Sequence, residues 1–574
     1  MNIPRPEYPR PDFYRPDWLN LNGEWQFEID NSNSGEERGL QNAKSLSNKI
    51  LLPFAPESEL SGIGNKDFMF SVWYKRGVEI PENWSDKKVI FHIGACDYHT
   101  KVWANANYLG EHFGGYTPFE FDISNYISDG KVVLTICAYD NTRDPNQPCG
   151  KQSHQFNSFG CHYTRTTGIW QTVWLEAVNP AYIQKTKYYT DIDAPSVTIV
   201  LAPSSAAIGS KIVAVAKYDG RVCGEASAKV YGMTSTLTLN LTEKHLWELG
   251  KGELYNLELT LEKDGETLDR VESYFGLRSV AIDGYKFLLN GKSTFQRLVL
   301  DQGFYPDGIY TAPTEQALID DIKFSMELGF NGARLHQKVF EPRFLYHADK
   351  MGYLVWGEYA NWGIDIDNGY GRFALEFIES MQRDFNHPSI IGWCPLNENW
   401  DNSQNGHDRK NIKAIYDIVT AQDPTRIVVD CSGGNHGVRT IYDVHDYEQD
   451  VAKFRYRHKH ALDDDFNGTR AYLMNDPLKT ESYFVSEYGG IAWNKAEGGW
   501  GYGNAPEALE EFYERYKGLT DALLDSEHIF GFCYTQLYDV EQEQNGLLTY
   551  DRKHKFDTAK ISAINTKKAA IEEK

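Results

Sequence analysis

From about residue 278 onward, short apolar runs of strand length recur, and stretches with helical periodicity follow them. Thr294–Leu300 is read as a strand, then helix Thr314–Leu328. Asn331–Leu335 precedes helix Pro342–Lys350, and Gly352–Gly357 precedes helix Phe373–Phe385. Ser389–Trp393 precedes helix Asn411–Ala421, and Arg426–Asp430, Ile441–Val444, Tyr483–Val485 and Ile529–Tyr534 bring the strands to eight. Strands alternating with helices at this spacing must pair in parallel. Eight units over roughly 300 residues match a (β/α)8 TIM barrel, for which about 250 is typical.

The first half has a different period. Residues 1–179 hold short aromatic or alternating runs, such as Gly23–Phe27, Phe70–Tyr74, Thr100–Trp103 and Val132–Tyr139, separated by Gly, Asn, Asp and Pro. That pattern predicts a β-sandwich. Residues 146–165 (NQPCGKQSHQFNSFGCHYTR) are a long polar loop with two histidines, and loops of this length inside compact domains are functional or disordered. From 180 to 277 aromatics thin out and Val, Ala, Leu, Thr and Lys alternate, which reads as a second, smaller sandwich of Ig-like type with a spacer role. The expected chain is therefore multidomain: a β-sandwich at 1–179, an Ig-like β-sandwich at 180–277 and a (β/α)8 barrel at 278–574. The length of 574 residues accommodates this number of domains.

The formal net charge of −23 argues against nucleic acid or an anionic membrane as partner, since both require basic surface. No apolar run approaches the ~18 residues of a membrane span. The eight cysteines are scattered, without a CxxC pair or zinc spacing. The N-terminal stretch MNIPRPEYPRPDFYRPDW is too rich in proline and charge to be the apolar core of a secretory leader. The thiols are accordingly expected to be reduced and the protein cytoplasmic.

In a barrel of this kind, side chains just past the C-terminal strand ends converge on one rim. Strand one brings Asp301, strand two Arg334 and His336, and strand three Glu358 and Trp362. Strand four ends at Asn397 and Glu398, with Trp400 beyond. Strand five ends at Asp430, strand six at His445 and Tyr447, and strand seven at Glu487. Carboxylates, amides and aromatics together suit a neutral, hydroxyl-rich ligand. Strands four and seven lie across the barrel from one another. Two carboxyls that face each other there can divide the labour of glycoside hydrolysis, one donating a proton and the other attacking the anomeric carbon. Glu398 is expected as acid/base and Glu487 as nucleophile, kept charged by Arg334 and Tyr447. Asn397 is placed to bond a sugar hydroxyl beside the reacting carbon. His336, Asp301, Glu358, Trp362 and His445 complete the expected substrate-binding set.

These residues resemble glycoside hydrolase family 2, the β-galactosidase, β-glucuronidase and β-mannosidase group, along essentially the whole chain. Leu21–Phe27, Gly114–Phe119 and Thr166–Glu176 resemble the family's sugar-binding sandwich, and Phe275–Arg278 with Phe287–Lys292 its approach to the barrel. Asn397-Glu398 resembles the acid/base motif, Glu487 in Ser486-Glu487-Tyr488-Gly489 the nucleophile, and Tyr447 the tyrosine that bonds it. The resemblance implies an N-terminal jelly-roll sandwich and a retaining, exo-acting β-glycosidase of β-galactosidase type working by double displacement on an oligosaccharide or glycoside. It also implies a possible homo-oligomer.

The chain departs from the family at several places. Arg297–Gly303 stands where Gly-x-Asn-x-His is common, and Arg334-Leu335-His336-Gln337 where Arg-x-Ser-His is frequent. The strand-eight tryptophan is replaced near Thr535. Glu543-Gln544-Asn545 stands where glucuronidases carry Asn-x-Lys, and an acid there should repel a uronate. His162 falls near the position of an aspartate that reaches the sugar in galactosidases. Other specificities in the family (α-L-arabinopyranoside, β-mannoside, β-glucuronide) stay open. Two alternatives of other classes are a non-catalytic glycan-binding protein and a metal-dependent hydrolase using His336, His445 and Asp430. Neither a cofactor nor a metal is expected.

Overall fold

The computed structural model describes residues 3–399, 408–438, 440–461, 482–493 and 498–573. Eight parallel strands form the C-terminal body. They are β1 (Gln296–Asp301), β2 (Gly332–Leu335), β3 (Leu354–Glu358), β4 (Ile390–Cys394), β5 (Ile427–Val428), β6 (Ile441–Asp446), β7 (Ser482–Gly489) and β8 (Ile529–Thr535). Their hydrogen-bonded order is β5-β4-β3-β2-β1-β8-β7-β6, so the expected barrel is present with each strand where the sequence places it. Seven helices accompany them among the described residues: α1 (Glu315–Glu327), α2 (Pro342–Met351), α3 (Ile366–Asp384), α4 (Arg409–Gln422), α5 (Val451–Lys459), α6 (Leu509–Leu524) and α7 (Thr558–Asn565).

Local chemistry sets the ends of these helices. Thr314 caps α1 by accepting from Ala317 N, and Asp450 caps α5 by accepting from Ala452 N and Lys453 N. α2 starts on Pro342, whose fixed φ suits the first turn, and stops at Gly352 in the left-handed region. α3 begins seven residues before the predicted Phe373, because Asp365 supplies a cap to Asp367 N. None of the helices described is long and apolar enough to cross a membrane.

The barrel strands are buried along almost their full length, which is why they read as continuous apolar runs. Inside, Trp356 stacks on Phe484 at 5.6 Å, and Phe484 on Phe530 at 5.1 Å. Gly392 makes room for this: a Cβ there would lie 2.6 Å from the Trp356 ring. The indole nitrogen of Trp356 donates to Gln296 Oε1 at 2.8 Å, so its polar edge is satisfied in the interior.

One seam lacks a backbone ladder. β5 is only two residues long, shorter than the predicted Arg426–Asp430, and β5 and β6 are the two ends of the hydrogen-bonded order. The chain past Pro395 pairs instead with the segment after β5, Leu396 with Cys431 and Asn397 with Ser432. Side chains then cross the gap to β6. Asp443 accepts from Gly433 N, and Ser432 Oγ lies 2.9 Å from His445 Nε2.

The N-terminal half is two antiparallel sandwiches. In the first, a six-stranded sheet (Asn48–Leu52, Gly23–Ile29, Ser71–Glu79, Lys131–Tyr139, His99–Ala104, Asn107–Phe113) faces a four-stranded one (Trp18–Asn20, Val173–Val178, Lys88–Ile93, Phe119–Asp122) across a core that includes Trp25, Tyr74, Phe91 and Leu175. The second sandwich has three strands against four. In its strand Ser196–Pro203, buried Val197, Ile199 and Leu201 alternate with less buried neighbours, as the sequence period requires. The N-terminal segment crosses between the two. Phe13 joins the second core, and Arg15 donates to Asp269 at 2.8 Å and to Glu176 of the first sandwich at 3.2 Å.

That arginine predicts a pH-dependent clamp. Burial would push the Glu176 carboxyl up, but the Arg15 charge and the His92 hydrogen bond hold it down to about 2. A depressed carboxylate stabilises the fold above its unfolded value of about 4.3. That stability is lost as pH falls through the folded value. Arg15→Met removes the cation shared by two buried carboxylates and is expected to cost about 3–5 kcal/mol at pH 7. Urea unfolding should read this loss, with the gap to the wild type closing as pH drops from about 4 toward about 2.

Candidate active site

Glu487 lies within β7, two residues beyond the predicted strand end. A register shift between β6 and β7 pairs Val444 with Val485 but His445 with Glu487, so Ser486 is the extra residue. Such a bulge re-aims the following side chain. Glu398 follows the Asn397–Ser432 pairing with φ at 53°, a left-handed conformation that a non-glycine residue adopts only when its surroundings enforce it. Its backbone N–H donates to Ser432 O at 2.8 Å.

The two carboxylates meet. Ligand atoms of Glu398, His445 and Glu487 all lie within 4.8 Å of one another. His445 Nδ1 is 2.9 Å from Glu398 Oε1 and 3.4 Å from Glu487 Oε2. The environments differ. Glu398 keeps 27% of its side chain exposed, and Glu487 only 5%. Arg334 donates to Glu487 Oε1 at 3.1 Å, and the Tyr447 hydroxyl donates to Oε2. Burial by itself would push the Glu487 carboxyl up. The charges of His445, His336 and Arg334, with the Tyr447 hydrogen bond, overcome this and hold it down at about 2.

The remaining expected residues mostly converge. Arg334 also donates to Ser486 O at 2.7 Å and Asn397 Oδ1 at 3.1 Å, and it forms an ion pair with Glu358. Glu358 accepts from Gln337 N at 3.1 Å and lies 3.0 Å from His336 Nδ1. Burial drives His336 down, and Lys151 adds to that. Asn397 is fixed by Asn361 and Trp362, while its Nδ2 is buried with no acceptor among the described residues. Tyr447 is stacked on Tyr502 at 3.6 Å and bonded to Thr535 Oγ1 at 3.0 Å, so Thr535 supports the tyrosine at the end of β8.

Some expectations need correction. Asp301 is not turned to the carboxylates. Its Oδ1 accepts from Gly303 N and the Tyr538 hydroxyl, which makes it scaffold. Asp430 binds His436, Gly437 N and Val438 N, apart from His336 and His445, so the three do not form the metal set considered above. Among the described residues, the group close enough to hold a cation is the Glu398–His445–Glu487 cluster itself. Trp362 does not present a free face, since Lys151 lies over its ring at 4.1 Å and His162 tilts against it at 5.4 Å. Burial and the Lys151 charge lower His162 to about 4. Trp400 lies outside the described residues.

The residue that sequence reasoning missed is Lys151. The 146–165 loop docks on the barrel: Cys149 N and Gly150 N donate to Trp362 O at 2.9 and 3.1 Å, and the Trp500 indole donates to Gly160 O at 2.6 Å. Gly150 has φ of 58°, and a Cβ there would collide with the carbonyl of Gln337. The loop delivers Lys151, 6% exposed, over the Trp362 ring. In the loop after β8, Glu543 accepts from the Tyr163 hydroxyl at 2.6 Å and Asn545 Nδ2 at 3.1 Å. The polar loop was the available signal. Its lysine alone carried none.

Comparison with known proteins agrees with this fold. Three models of glycosyl hydrolases family 2 match in chain order: the sugar binding domain over residues 64–175, the family's middle domain over 182–278 and its TIM barrel domain over 280–522. The chain is 29% identical over 348 residues to a β-galactosidase of Thermoanaerobacter pseudethanolicus, covering 58% of this chain but only 46% of that longer protein. It is 22% identical to a β-glucuronidase of Streptococcus agalactiae over 93% of this chain and 94% of the relative. Among solved structures, a Bifidobacterium dentium β-glucuronidase complexed with coumarin-3-O-glucuronide superposes with a TM-score of 0.81 at 18% identity, covering 98% of both chains. A Ruminococcus gnavus β-glucuronidase gives 0.80 at 16% identity over 99% of this chain and all of the other.

Tyr447 tests the electrostatics. Tyr447→Phe removes a donor from ionised Glu487, so the carboxyl must rise from about 2 toward its ordinary range. The acidic limb of the kcat/KM profile should move to higher pH, with kcat at neutral pH falling about 10–100-fold.

Proposed function

The chain belongs to glycoside hydrolase family 2, and from that premise we propose that it is a retaining, exo-acting β-glycosidase. The observation that carries this reading is the Glu398–Glu487 pair, whose oxygens approach within 4.8 Å. Retaining enzymes hold their carboxyls about 5–5.5 Å apart, and inverting enzymes need a wider gap for water.

In the first step Glu487 attacks the anomeric carbon, the glycosidic C–O bond breaks, and Glu398 gives its proton to the departing oxygen. The product is a glycosyl ester on Glu487. Water then attacks the same carbon, Glu398 takes its proton, and the ester C–O bond breaks. Arg334 and Tyr447 keep Glu487 ionised between cycles. His445 bridges the pair and fixes their spacing. Asn397 offers its free amide N–H to a hydroxyl next to the reacting carbon, a bond that strengthens as positive charge develops there. The sandwich loop carrying Lys151 and His162 walls one side of the rim, which supports removal of a terminal sugar.

For the sugar, a neutral β-galactoside is the first reading. Buried Glu543 sits at the rim where it repels a carboxylate, and the T. pseudethanolicus relative is named a β-galactosidase. The second reading, a β-glucuronide, is favoured by the buried Lys151 cation and by the names of the solved structures.

Five measurements test the proposal. Nitrophenyl β-galactoside, β-glucuronide, β-mannoside, β-glucoside and α-L-arabinopyranoside should be screened, and the anomer first released should be followed by NMR. Release of the inverted anomer would sink the mechanism. A 2-fluoro glycoside should label Glu487, and Glu487→Gln should lose at least about 10⁴-fold in kcat. EDTA should leave the rate unchanged.

A further inference from the structure

A narrow cleft of about 20 Å³ lies where three parts of the chain meet. Arg5 and Arg10 of the N-terminal segment, Gln171 and Trp174 of the first sandwich, the start of α2 and the end of α3 line it. That volume suits one occupant of about the size of a water, which needs about 10–15 Å³.

Three of the lining side chains each bury an N–H that has no acceptor among the described residues: Trp174 Nε1, Gln171 Nε2 and Arg383 Nη1. Trp174 is 1% exposed, Gln171 6%, and the Arg383 side chain 5%. The rest of each neighbourhood is settled. Arg383 gives Nε and Nη2 to Asp384, and Nη2 also to Phe340 O. The Trp174 ring stacks on His92 at 4.7 Å. An indole and a guanidinium can only donate, so no rotation or flip turns either into an acceptor. Every buried side-chain atom left unsatisfied in this lining is a donor. Such groups carry their full desolvation cost until something accepts from them.

The charges around the cleft favour an anion. Its two acids are both occupied by Arg5, Glu7 through Nε and Glu341 through Nη1 and Nη2 at 3.0 and 2.6 Å. Arg10 lies over the Phe13 ring at 5.2 Å and forms no ion pair among the described residues. α2 opens here on Pro342, and no side chain caps its first turn. The positive end of its dipole therefore lies at the cleft.

We propose that this cleft binds one monatomic anion of chloride size, held by Trp174, Gln171 and Arg383, and that the ion fastens the first sandwich to the barrel. A water accepts two hydrogen bonds and brings two protons of its own. A halide accepts all three bonds and brings none, and its charge meets Arg383, Arg10 and the start of α2. Two of its donors come from the sandwich and one from α3, so the ion joins domains through groups that do not bond each other. Binding to the assembled junction and not to the unfolded chain makes stability rise with ion concentration. Nothing in this depends on which sugar the barrel accepts.

The full-length protein is melted in a calorimeter from about 1 to about 200 mM chloride at fixed ionic strength, with methanesulfonate, too large for the cleft, making up the balance. The melting temperature should rise by about 2–4 °C across that range. Trp174→Phe keeps a ring over His92 and removes the N–H, and Gln171→Leu removes the amide at similar size. Each should lose at least about half of the chloride-dependent rise. Crystals soaked in bromide should show an anomalous peak at hydrogen-bond distance from Trp174 Nε1 and Arg383 Nη1. Equal melting of the wild type in the two salts would overturn the site. So would a chloride response undiminished in both variants, or a bromide map without a peak in the cleft, which would leave water as the occupant. Should either variant fail to fold, the wild-type melts and the bromide map decide alone.

Discussion

The active site depends on one buried guanidinium. Arg334 leaves β2 and bonds Glu358 of β3, Asn397 beyond β4, and both Ser486 O and Glu487 of β7. A planar fork of five N–H donors can meet these directions at once, and an ammonium cannot. The guanidinium fixes Glu487 and the amide that precedes Glu398 in one frame. It also supplies part of the positive potential that keeps Glu487 ionised against its own burial. Breaking any of these bonds would leave a charge uncompensated in a dry interior.

Around that frame the two carboxylates are separated by environment rather than by residue type. Glu487 is enclosed, with donors on both oxygens. Glu398 stands partly open, and His445 is its side-chain partner among the described contacts. The same side chain is thus enclosed by donors in one place and open to solvent in the other. Strained backbone at Glu398 and the bulge at Ser486 are the structural means by which β4 and β7 aim them.

The barrel was legible, and so was the meeting of Glu398 and Glu487 at its rim, because both have local signatures. Buried parallel strands read as apolar runs, and a carboxylate placed straight after such a run must emerge at a rim. What local pattern cannot convey is the direction of a side chain at a strand end. Asp301 sits at the expected height yet turns to Tyr538, a partner 237 residues away. Asp430 similarly leaves the ladder for His436. Lys151 was illegible for a related reason. A lysine in a polar loop is ordinarily solvated, and its burial arises only when that loop closes on Trp362 of another domain.

The seam between β5 and β6 has a mechanical meaning. A tube slit along one side resists bending almost as well as a closed one but opens easily under torsion. Here Glu398 stands near one lip and Glu487 near the other, while Ser432 and His445 lace them together. The two acids thus face each other across the seam, tied by side chains where the rest of the cylinder is tied by backbone.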